Sequence, residues 1–183
     1  MTVLILHGID GYAGIHWQEW LHNELVVLGH KAIMPTLPDA DHPDRDTWLS
    51  TIQKLVAHVP TNELVLVGHS LGVASALDFV ETSPTGVKAL MSVSGFANNY
   101  GAELNGYFIA ERDIDFTRVN RNLENAFVFY GDDDPYVPQD ELADLATKLN
   151  VSPTIIAHGG HLNADAAFTV FPELLSKLET LSK

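Results

Sequence analysis

Short apolar segments alternate with amphipathic segments along most of the chain. The apolar segments are rich in Val, Ile, Leu and Phe, and they lie at residues 3–6, 31–34, 64–67, 87–93, 126–130 and 153–157. Strands whose sequence is continuously apolar, without an alternating polar face, are typical of a parallel sheet that is covered on both sides. The pattern therefore predicts six buried strands in one mostly parallel sheet.

Apolar residues recur at helical spacing in the segments between these strands, most clearly at residues 48–59, 142–149 and 170–181. Proline is tolerated in the first turn of a helix but not in its interior. We therefore expect the first of these helices to end before Pro60, and Pro172 to bend the last one or delay its start. Strands that alternate with helices predict an α/β protein, here a three-layer α/β/α sandwich.

Residues 97–123 interrupt this alternation with polar residues, two glycines and scattered aromatic side chains. In an α/β protein we expect such an insertion at the edge of the functional site, as a short lid or a wall of the substrate pocket. A plain surface excursion is the alternative. The rest of the chain has no repeat, low-complexity tract or linker, and its length suits one hydrophobic core. We predict a single domain over residues 1–183.

Composition and charge exclude several classes of function. The formal net charge is −14, from 10 basic and 24 acidic residues, which argues against nucleic acid and anionic lipid as partners. No apolar run approaches the ~20 residues that span a bilayer, and the N-terminus has no basic leader or cleavage pattern, so we expect a cytoplasmic protein without membrane attachment. The absence of cysteine excludes disulfides, thiolate zinc sites and a cysteine nucleophile.

The clearest motif is Gly68-His69-Ser70-Leu71-Gly72, which follows the apolar run 64–67 and precedes a largely apolar helical segment. A G-x-S-x-G sequence between a strand and a helix holds its serine in a strained turn, so that the hydroxyl projects into the active-site crevice. The two glycines allow the strand and helix backbones to pass closely. We predict that Ser70 is a nucleophile; the alternative is an ordinary serine that caps the helix N-terminus.

A serine nucleophile needs a base that takes its proton and a carboxylate that orients the base. In hydrolases with this turn, the acid and then the histidine follow the serine along the chain. Asp134 is the predicted acid, because it follows the strand at 126–130 and Pro135 restrains the backbone directly after it. Asp132 and Asp133 are expected to be solvated turn residues.

His161 is the predicted base, since the preceding Gly159-Gly160 pair allows its ring to turn back towards the nucleophile. His158, which is nearer the end of the strand, is the alternative. Acyl transfer also requires two backbone N–H donors for an oxyanion. We expect these from Leu71, directly after the nucleophile, and from Ile9, in the loop after the first strand. His7 is expected to brace that loop.

With these motifs in order, the chain resembles the α/β-hydrolases. More narrowly, it resembles the small serine hydrolase family that includes the retinoblastoma-binding hydrolase and short bacterial relatives. The resemblance runs nearly end to end and depends on four motifs: LHG at 6–8 with HW at 16–17, GHSLG at 68–72, YGDDDPYVP at 130–138 and GGHLN at 159–163. It implies a shortened core of about six strands, little or no cap, and a triad of Ser70, Asp134 and His161. Val73 stands where many relatives have cysteine.

Three other interpretations compete with this one. Gly8, Gly11 and Gly14 lack the spacing of a dinucleotide-binding fingerprint. A metallohydrolase built on His158, His161 and the aspartates is supported by neither an H-E-x-x-H motif nor EF-hand spacing, and it would leave the G-x-S-x-G turn unexplained. A protein that keeps the hydrolase fold, has little turnover and acts mainly as an interaction or ligand-binding module is the serious alternative.

The sequence thus predicts a carboxylesterase-like serine hydrolase that acts on small esters or activated amides without a metal or organic cofactor. Short acyl groups are favoured, because the chain has little material for a deep groove. A protein partner cannot be identified from the sequence. Several aromatic residues are candidates for the pocket wall, although the two tryptophans fit the core at least as well: Tyr12, Trp17, Trp20, Tyr107, Phe108 and Tyr136.

Overall fold

A computed structural model describes residues 1–182, without the side chain of Leu104. It contains one sheet whose neighbouring strands are all parallel, in the order β2-β1-β3-β4-β5-β6. The strands are β1 (Thr2–Leu6), β2 (Lys31–Ile33), β3 (Leu64–His69), β4 (Ala89–Val93), β5 (Ala126–Gly131) and β6 (Thr154–Ile156). The predicted parallel sheet of six strands is confirmed.

The strands are connected largely by helices, which are α1 (Gln18–Val27), α2 (Arg45–Val56), α3 (Leu71–Thr82), α4 (Glu103–Ala110), α5 (Phe116–Asn122), α6 (Gln139–Lys148) and α7 (Pro172–Thr180). As expected, α2 ends before Pro60, and Pro172 delays the last helix and occupies its first turn. Within residues 1–182, no helix is long and apolar enough to cross a membrane.

Two hydrophobic cores lie on opposite faces of the sheet, because successive strand residues point to opposite sides. In β1, Val3 and Ile5 pack into one core with α1 and α7. Leu4 and Leu6 pack into the other core, to which α2, α3, α5 and α6 contribute. This division gives the predicted three-layer α/β/α sandwich.

The order of the strands places a crevice at the carboxyl ends of β1 and β3. The chain runs from β1 outward to β2 and then returns to β3 on the other side of β1. At such a reversal the loops after the two strands diverge, and ligands of open α/β sheets bind there. Leu6 pairs with Gly68 in the register of these two strands, so both loops leave the sheet at the same level.

Residues 97–123 contain α4 and α5, and a buried arginine at the start of α2 holds the C-terminal end of α4. Arg45 forms a bidentate ion pair with Asp78 of α3, with both N–O distances at 2.8 Å. Its Nη1 donates to the carbonyl oxygens of Phe108, Ile109 and Arg112. Because the last carbonyls of a helix have no partner within it, the guanidinium satisfies those of Phe108 and Ile109 and fixes the end of α4 to the main core.

Removal of the anion should therefore destabilise the whole fold. Asp78→Ala leaves the buried guanidinium of Arg45 unpaired, which is expected to lower the free energy of unfolding by about 3–5 kcal/mol. Urea-induced unfolding measures this change. Asp46→Ala is the control, because Asp46 pairs with Arg112 at the surface and its loss should lower stability by no more than about 1 kcal/mol. Equal losses in the two variants would contradict the importance of the buried pair.

Candidate active site

Ser70 occupies a strained turn between β3 and α3. Its backbone has φ 54° and ψ −126°, a conformation that non-glycine residues rarely adopt. The turn is held by the Ser70 N–H, which donates to the Val93 carbonyl at 2.9 Å. Ser70 precedes the first residue of α3, but its hydroxyl makes no capping hydrogen bond. The alternative of an ordinary helix-capping serine therefore does not fit this geometry.

The loop after β1 lies against the turn that carries Ser70, and glycine is required on both sides of the contact. A Cβ atom added at Gly72 would lie 2.4 Å from the His7 carbonyl oxygen, and one at Gly8 would lie 2.9 Å from Ser70 Cβ. Both distances are shorter than real carbon contacts allow. The backbone of the first loop is therefore held directly beside the serine.

His7 fixes the conformation of that loop. The Leu37 N–H donates to His7 Nε2 at 2.8 Å, and His7 Nδ1 lies 2.7 Å from the Gly8 carbonyl. Since Nε2 accepts, the proton is on Nδ1, which donates to Gly8. Burial lowers the pKa of His7 and keeps the ring neutral, although the bond to Gly8 opposes this shift. The expectation that His7 braces the loop is confirmed.

Asp134 and His161 are joined by a hydrogen bond of 2.8 Å between Oδ2 and Nδ1. The Asp134 side chain is fully buried, and its other oxygen accepts the N–H groups of Tyr136 and Val137. One carboxylate oxygen thus fixes the turn and the other orients the imidazole. Because Nδ1 faces the carboxylate, Nε2 is the nitrogen left for another partner.

The two neighbouring aspartates have a structural function that the sequence analysis missed. Asp132 Oδ1 accepts the His158 N–H and Asp133 Oδ1 accepts the Gly160 N–H, both at 2.8 Å. Both side chains are exposed, but they are not simply solvated turn residues, because they hold the loop that carries His161. The run of consecutive aspartates in the YGDDDPYVP motif was the sequence signal that could have indicated this function.

His158 differs in its environment from His161. Its side chain is 92% exposed and lies 3.9 Å from Asp133, and it does not line the cavity that His161 shares with Ser70. Asp132, Asp133 and His158 form a group on the surface whose ligand atoms lie within 4.8 Å of one another. These residues could contact a cation, but both carboxylates already accept backbone hydrogen bonds.

Two further histidines lie beside His161. The His69 ring is centred 4.8 Å from the His161 ring and 5.3 Å from the His16 ring. Burial lowers the pKa of His69 well below its ordinary value of 6.5, and His161 lowers it further. The pKa of His16 is also lowered, first by burial and then by His161, while Asp165 opposes the shift. Sequence reasoning assigned no function to either ring.

A cavity of about 460 Å³ lies at the carboxyl ends of the strands and brings these groups together. Ser70, His161 and Ile9 line it, and the 97–123 segment contributes Tyr100 and Asn105 among its wall residues. Leu71, the other expected N–H donor, is buried at the first position of α3. In residues 1–182, neither Ile9 nor Leu71 donates its N–H to a loop carbonyl or a side chain.

The predicted aromatic wall is mostly wrong. Tyr136 lines the cavity and packs edge-on against His161, with ring centroids 5.1 Å apart. Phe108 instead lies in the core, edge-on to Trp48, because α4 turns this side chain towards α2. Tyr12 and Tyr107 are exposed and do not line this cavity.

Comparisons with known proteins agree with this architecture. The model of the serine hydrolase family matches residues 3–180. The YdeN protein of Bacillus subtilis (strain 168) is 28% identical over 172 residues, which cover 93% of this chain and 90% of that protein. Its crystal structure has a TM-score of 0.91, with 100% and 99% of the two chains covered.

One further relative and one solved structure are more distant matches. The serine hydrolase RBBP9 of Rattus norvegicus is 25% identical over 169 residues, which cover 90% of this chain and 86% of that protein. A thermophilic esterase from Thermogutta terrifontis is 15% identical, with a TM-score of 0.74 and coverage of 100% and 91%. The latter likeness concerns the fold alone.

The buried neutral histidines should make the stability of the fold sensitive to acid. The pKa values of His7, His16 and His69 lie below 6.5 in the folded chain. Below pH 6.5 the unfolded chain therefore binds more protons than the folded chain, so the free energy of unfolding falls as the pH is lowered. Above pH 6.5 the rings are largely neutral in both states, and the full stability of the fold is present. For His69, the slope is at most about 1.4 kcal/mol per pH unit.

Urea-induced unfolding at about pH 7.5, 6.5 and 5.5 measures this slope. His69→Gln cannot titrate, so its stability should fall less steeply between the two lower pH values. His58→Gln replaces a histidine that is exposed and should keep the slope of the wild type. An unchanged slope in His69→Gln would contradict the neutral state of the buried ring.

Proposed function

The chain belongs to the serine hydrolase family, and from that membership we propose that it is a carboxylesterase-like enzyme with Ser70 as nucleophile, His161 as base and Asp134 as orienting acid. One observation carries the proposal. The hydrogen bond between His161 and Asp134 is adjacent to a cavity that His161 shares with a serine in a strained turn. Buried carboxylate, imidazole and strained serine are the three parts of a nucleophilic site for acyl transfer.

In the first half of the reaction, Ser70 Oγ forms a bond to the carbonyl carbon of the substrate, and its proton moves to His161 Nε2. Asp134 accepts from Nδ1–H, fixes this tautomer and stabilises the imidazolium that forms. The carbonyl oxygen becomes an oxyanion, which the N–H groups of Ile9 and Leu71 stabilise. Loss of one such donor lowers kcat by roughly 10²- to 10³-fold in comparable sites.

In the second half, the tetrahedral intermediate collapses and the bond to the leaving group breaks. The leaving oxygen or nitrogen takes the proton from His161, which leaves an acyl ester on Ser70. A water molecule then gives its proton to His161 and attacks this ester, and the same two N–H groups stabilise the second oxyanion. The carboxylic acid departs as the proton returns to Ser70, so the enzyme is regenerated without a cofactor.

The dimensions of the cavity favour small substrates. Its volume of about 460 Å³ lies in the lower half of the range of about 300–1,000 Å³ that small-molecule sites occupy. Apolar groups of Ile9, Ile15 and Val137 share its walls with Tyr100 and Tyr136. We therefore propose esters of short acyl chains, or small activated amides, as the substrate class.

The first test is covalent labelling with a fluorophosphonate, measured by intact mass. The wild type should gain one adduct, whereas Ser70→Ala lacks the nucleophile and His161→Ala lacks the base, so both should remain unlabelled. Hydrolysis of short-chain esters should be lost in the same two variants. Esterase activity that persists in folded Ser70→Ala would overturn the assignment. Failure of the folded wild type to label would favour a protein that binds ligands or partners with little turnover.

The second test separates the neighbouring aspartates. Asp134→Asn should lower kcat by about 10⁴-fold, because the amide cannot enforce the required tautomer of His161. Asp133→Asn is a matched control, since its remaining amide oxygen can still accept the Gly160 N–H. Its kcat should therefore stay within about tenfold of the wild type. A larger loss in Asp133→Asn than in Asp134→Asn would show that the acid is misassigned.

A further inference from the structure

The HW motif at 16–17 is not used by the proposed reaction, yet both side chains contact the loop that carries His161. Trp17 Nε1 donates to the Leu162 carbonyl at 2.9 Å. His16 Nδ1 accepts the Ala164 N–H at 3.1 Å. Each contact joins residues more than 140 positions apart in the sequence. The segment before α1 is thus hydrogen-bonded to the backbone of residues 162 and 164.

His69 provides a third contact to the same loop. Its Nε2 lies 2.9 Å from the backbone carbonyl of His161 itself. Because a carbonyl can only accept, the proton of the neutral ring is on Nε2 and points at His161. His69 is adjacent to Ser70 in the sequence, so one short segment carries the proposed nucleophile and a contact to the proposed base.

The loop at 158–164 is therefore held from two directions. On one side, Asp132 and Asp133 accept the N–H groups of His158 and Gly160. On the other side, rings of His16, Trp17 and His69 bind the backbone of residues 161, 162 and 164. The aspartates fix the backbone of residues 158–160, which precede His161, and the three rings fix the backbone from His161 to residue 164.

The three rings are packed against one another as well as against the loop. The centroids of His16 and Trp17 lie 5.3 Å and 6.1 Å from that of His69. Trp17 is fully buried and His69 is 3% exposed. Side chains in such packing have few alternative rotamers, so their hydrogen-bonding atoms keep fixed positions. For Trp17 and His69, this rigidity distinguishes the contacts from hydrogen bonds made by surface side chains, whereas His16 is half-buried.

We propose that His16, Trp17 and His69 are positioning residues for His161 and set the placement of its imidazole relative to Ser70. This inference rests on the proposed function for its catalytic consequence. The three residues touch the backbone of the base loop, and the imidazole moves with that backbone. A displacement of about 1 Å at a reacting group lowers rates by roughly 100-fold, so a loosened loop should slow acylation without removing any reacting group.

The decisive variants of His69 and His16 are pairs in which only one member keeps the hydrogen-bonding group. His69→Leu fills the site but cannot donate, whereas His69→Gln places an amide N–H near the position of Nε2. His16→Gly and His16→Asn both tolerate the left-handed backbone of this residue, which has φ 61°, but only Asn retains an acceptor. Trp17→Phe keeps an aromatic ring and loses the indole N–H.

Two measurements are made on each folded variant. The first is the rate constant for inactivation by a fluorophosphonate, which reports the chemistry at Ser70. His69→Leu, His16→Gly and Trp17→Phe should each be slowed by about tenfold to 100-fold, and His69→Gln and His16→Asn should recover most of the rate. With a short-chain ester, Trp17→Phe should lower kcat and leave KM unchanged, as expected when positioning is lost and binding is kept, because Trp17 does not line the cavity.

The second measurement is hydrogen–deuterium exchange of the peptide that contains residues 158–168, which does not depend on activity. Exchange should increase in His69→Leu and return towards the wild type in His69→Gln, while peptides from the central strands stay unchanged. Trp48→Phe is the control for exchange, because it removes an indole bond to the Pro38 carbonyl, which lies outside this loop. It should leave the exchange of this loop unchanged.

The outcomes separate this proposal from the proposed function. A folded His69→Leu variant with the inactivation rate of the wild type would overturn the positioning role, and so would an equal loss in His69→Leu and His69→Gln. If the wild type itself is not labelled, the proposed function has failed. Hydrogen exchange then tests only whether the three rings hold the loop. Exchange of the loop that is no faster in His69→Leu would contradict the contacts. Faster exchange in His69→Leu that returns to the wild-type rate in His69→Gln would support them.

Discussion

The contact between two backbones, without room for a Cβ atom, is the constraint on which the candidate site depends. The loop after β1 passes so close to the start of α3 that Gly72 faces the His7 carbonyl and Gly8 faces Ser70. The contact exists because β1 and β3 are paired and end at the same level. It sets the distance between the strained serine and the backbone N–H groups of the first loop. A side chain on either glycine would separate the two halves of the proposed oxyanion site.

A second constraint acts on the other side of the serine, where the loop after β6 must cross back over the ends of β5 and β3. The carboxyl ends of parallel strands lie at one edge of the sheet, which brings together the segments that carry the proposed acid, base and nucleophile but does not orient them. Orientation here comes from hydrogen bonds to the loop backbone, made by Asp132 and Asp133 from one side and by buried rings from the other. The sheet provides proximity, and these contacts provide the geometry.

This distinction explains which features could be predicted from the sequence. The six strands, the end of α2 before Pro60 and the start of α7 at Pro172 depend on local apolar patterns and on the chemistry of proline, so they were predictable. The contacts of Trp17 with Leu162 and of Arg45 with Asp78 join distant positions, and no local pattern encodes them. Phe108 was wrongly assigned to the pocket wall for the same reason: the sequence around an aromatic residue in a polar segment does not show that α2 covers it.

The histidines in and beside the cavity differ in the partners that their rings bind. His7 and His16 each accept a backbone N–H, and His69 donates to a backbone carbonyl. Burial lowers the pKa of all three, so a proton on any of these rings is disfavoured. Of the cavity-lining rings of His16, His69 and His161, only that of His161 bonds a carboxylate. Burial thus holds the rings of His16 and His69 neutral, whereas the His161 ring is paired with a carboxylate, and this difference supports His161 as the proposed base.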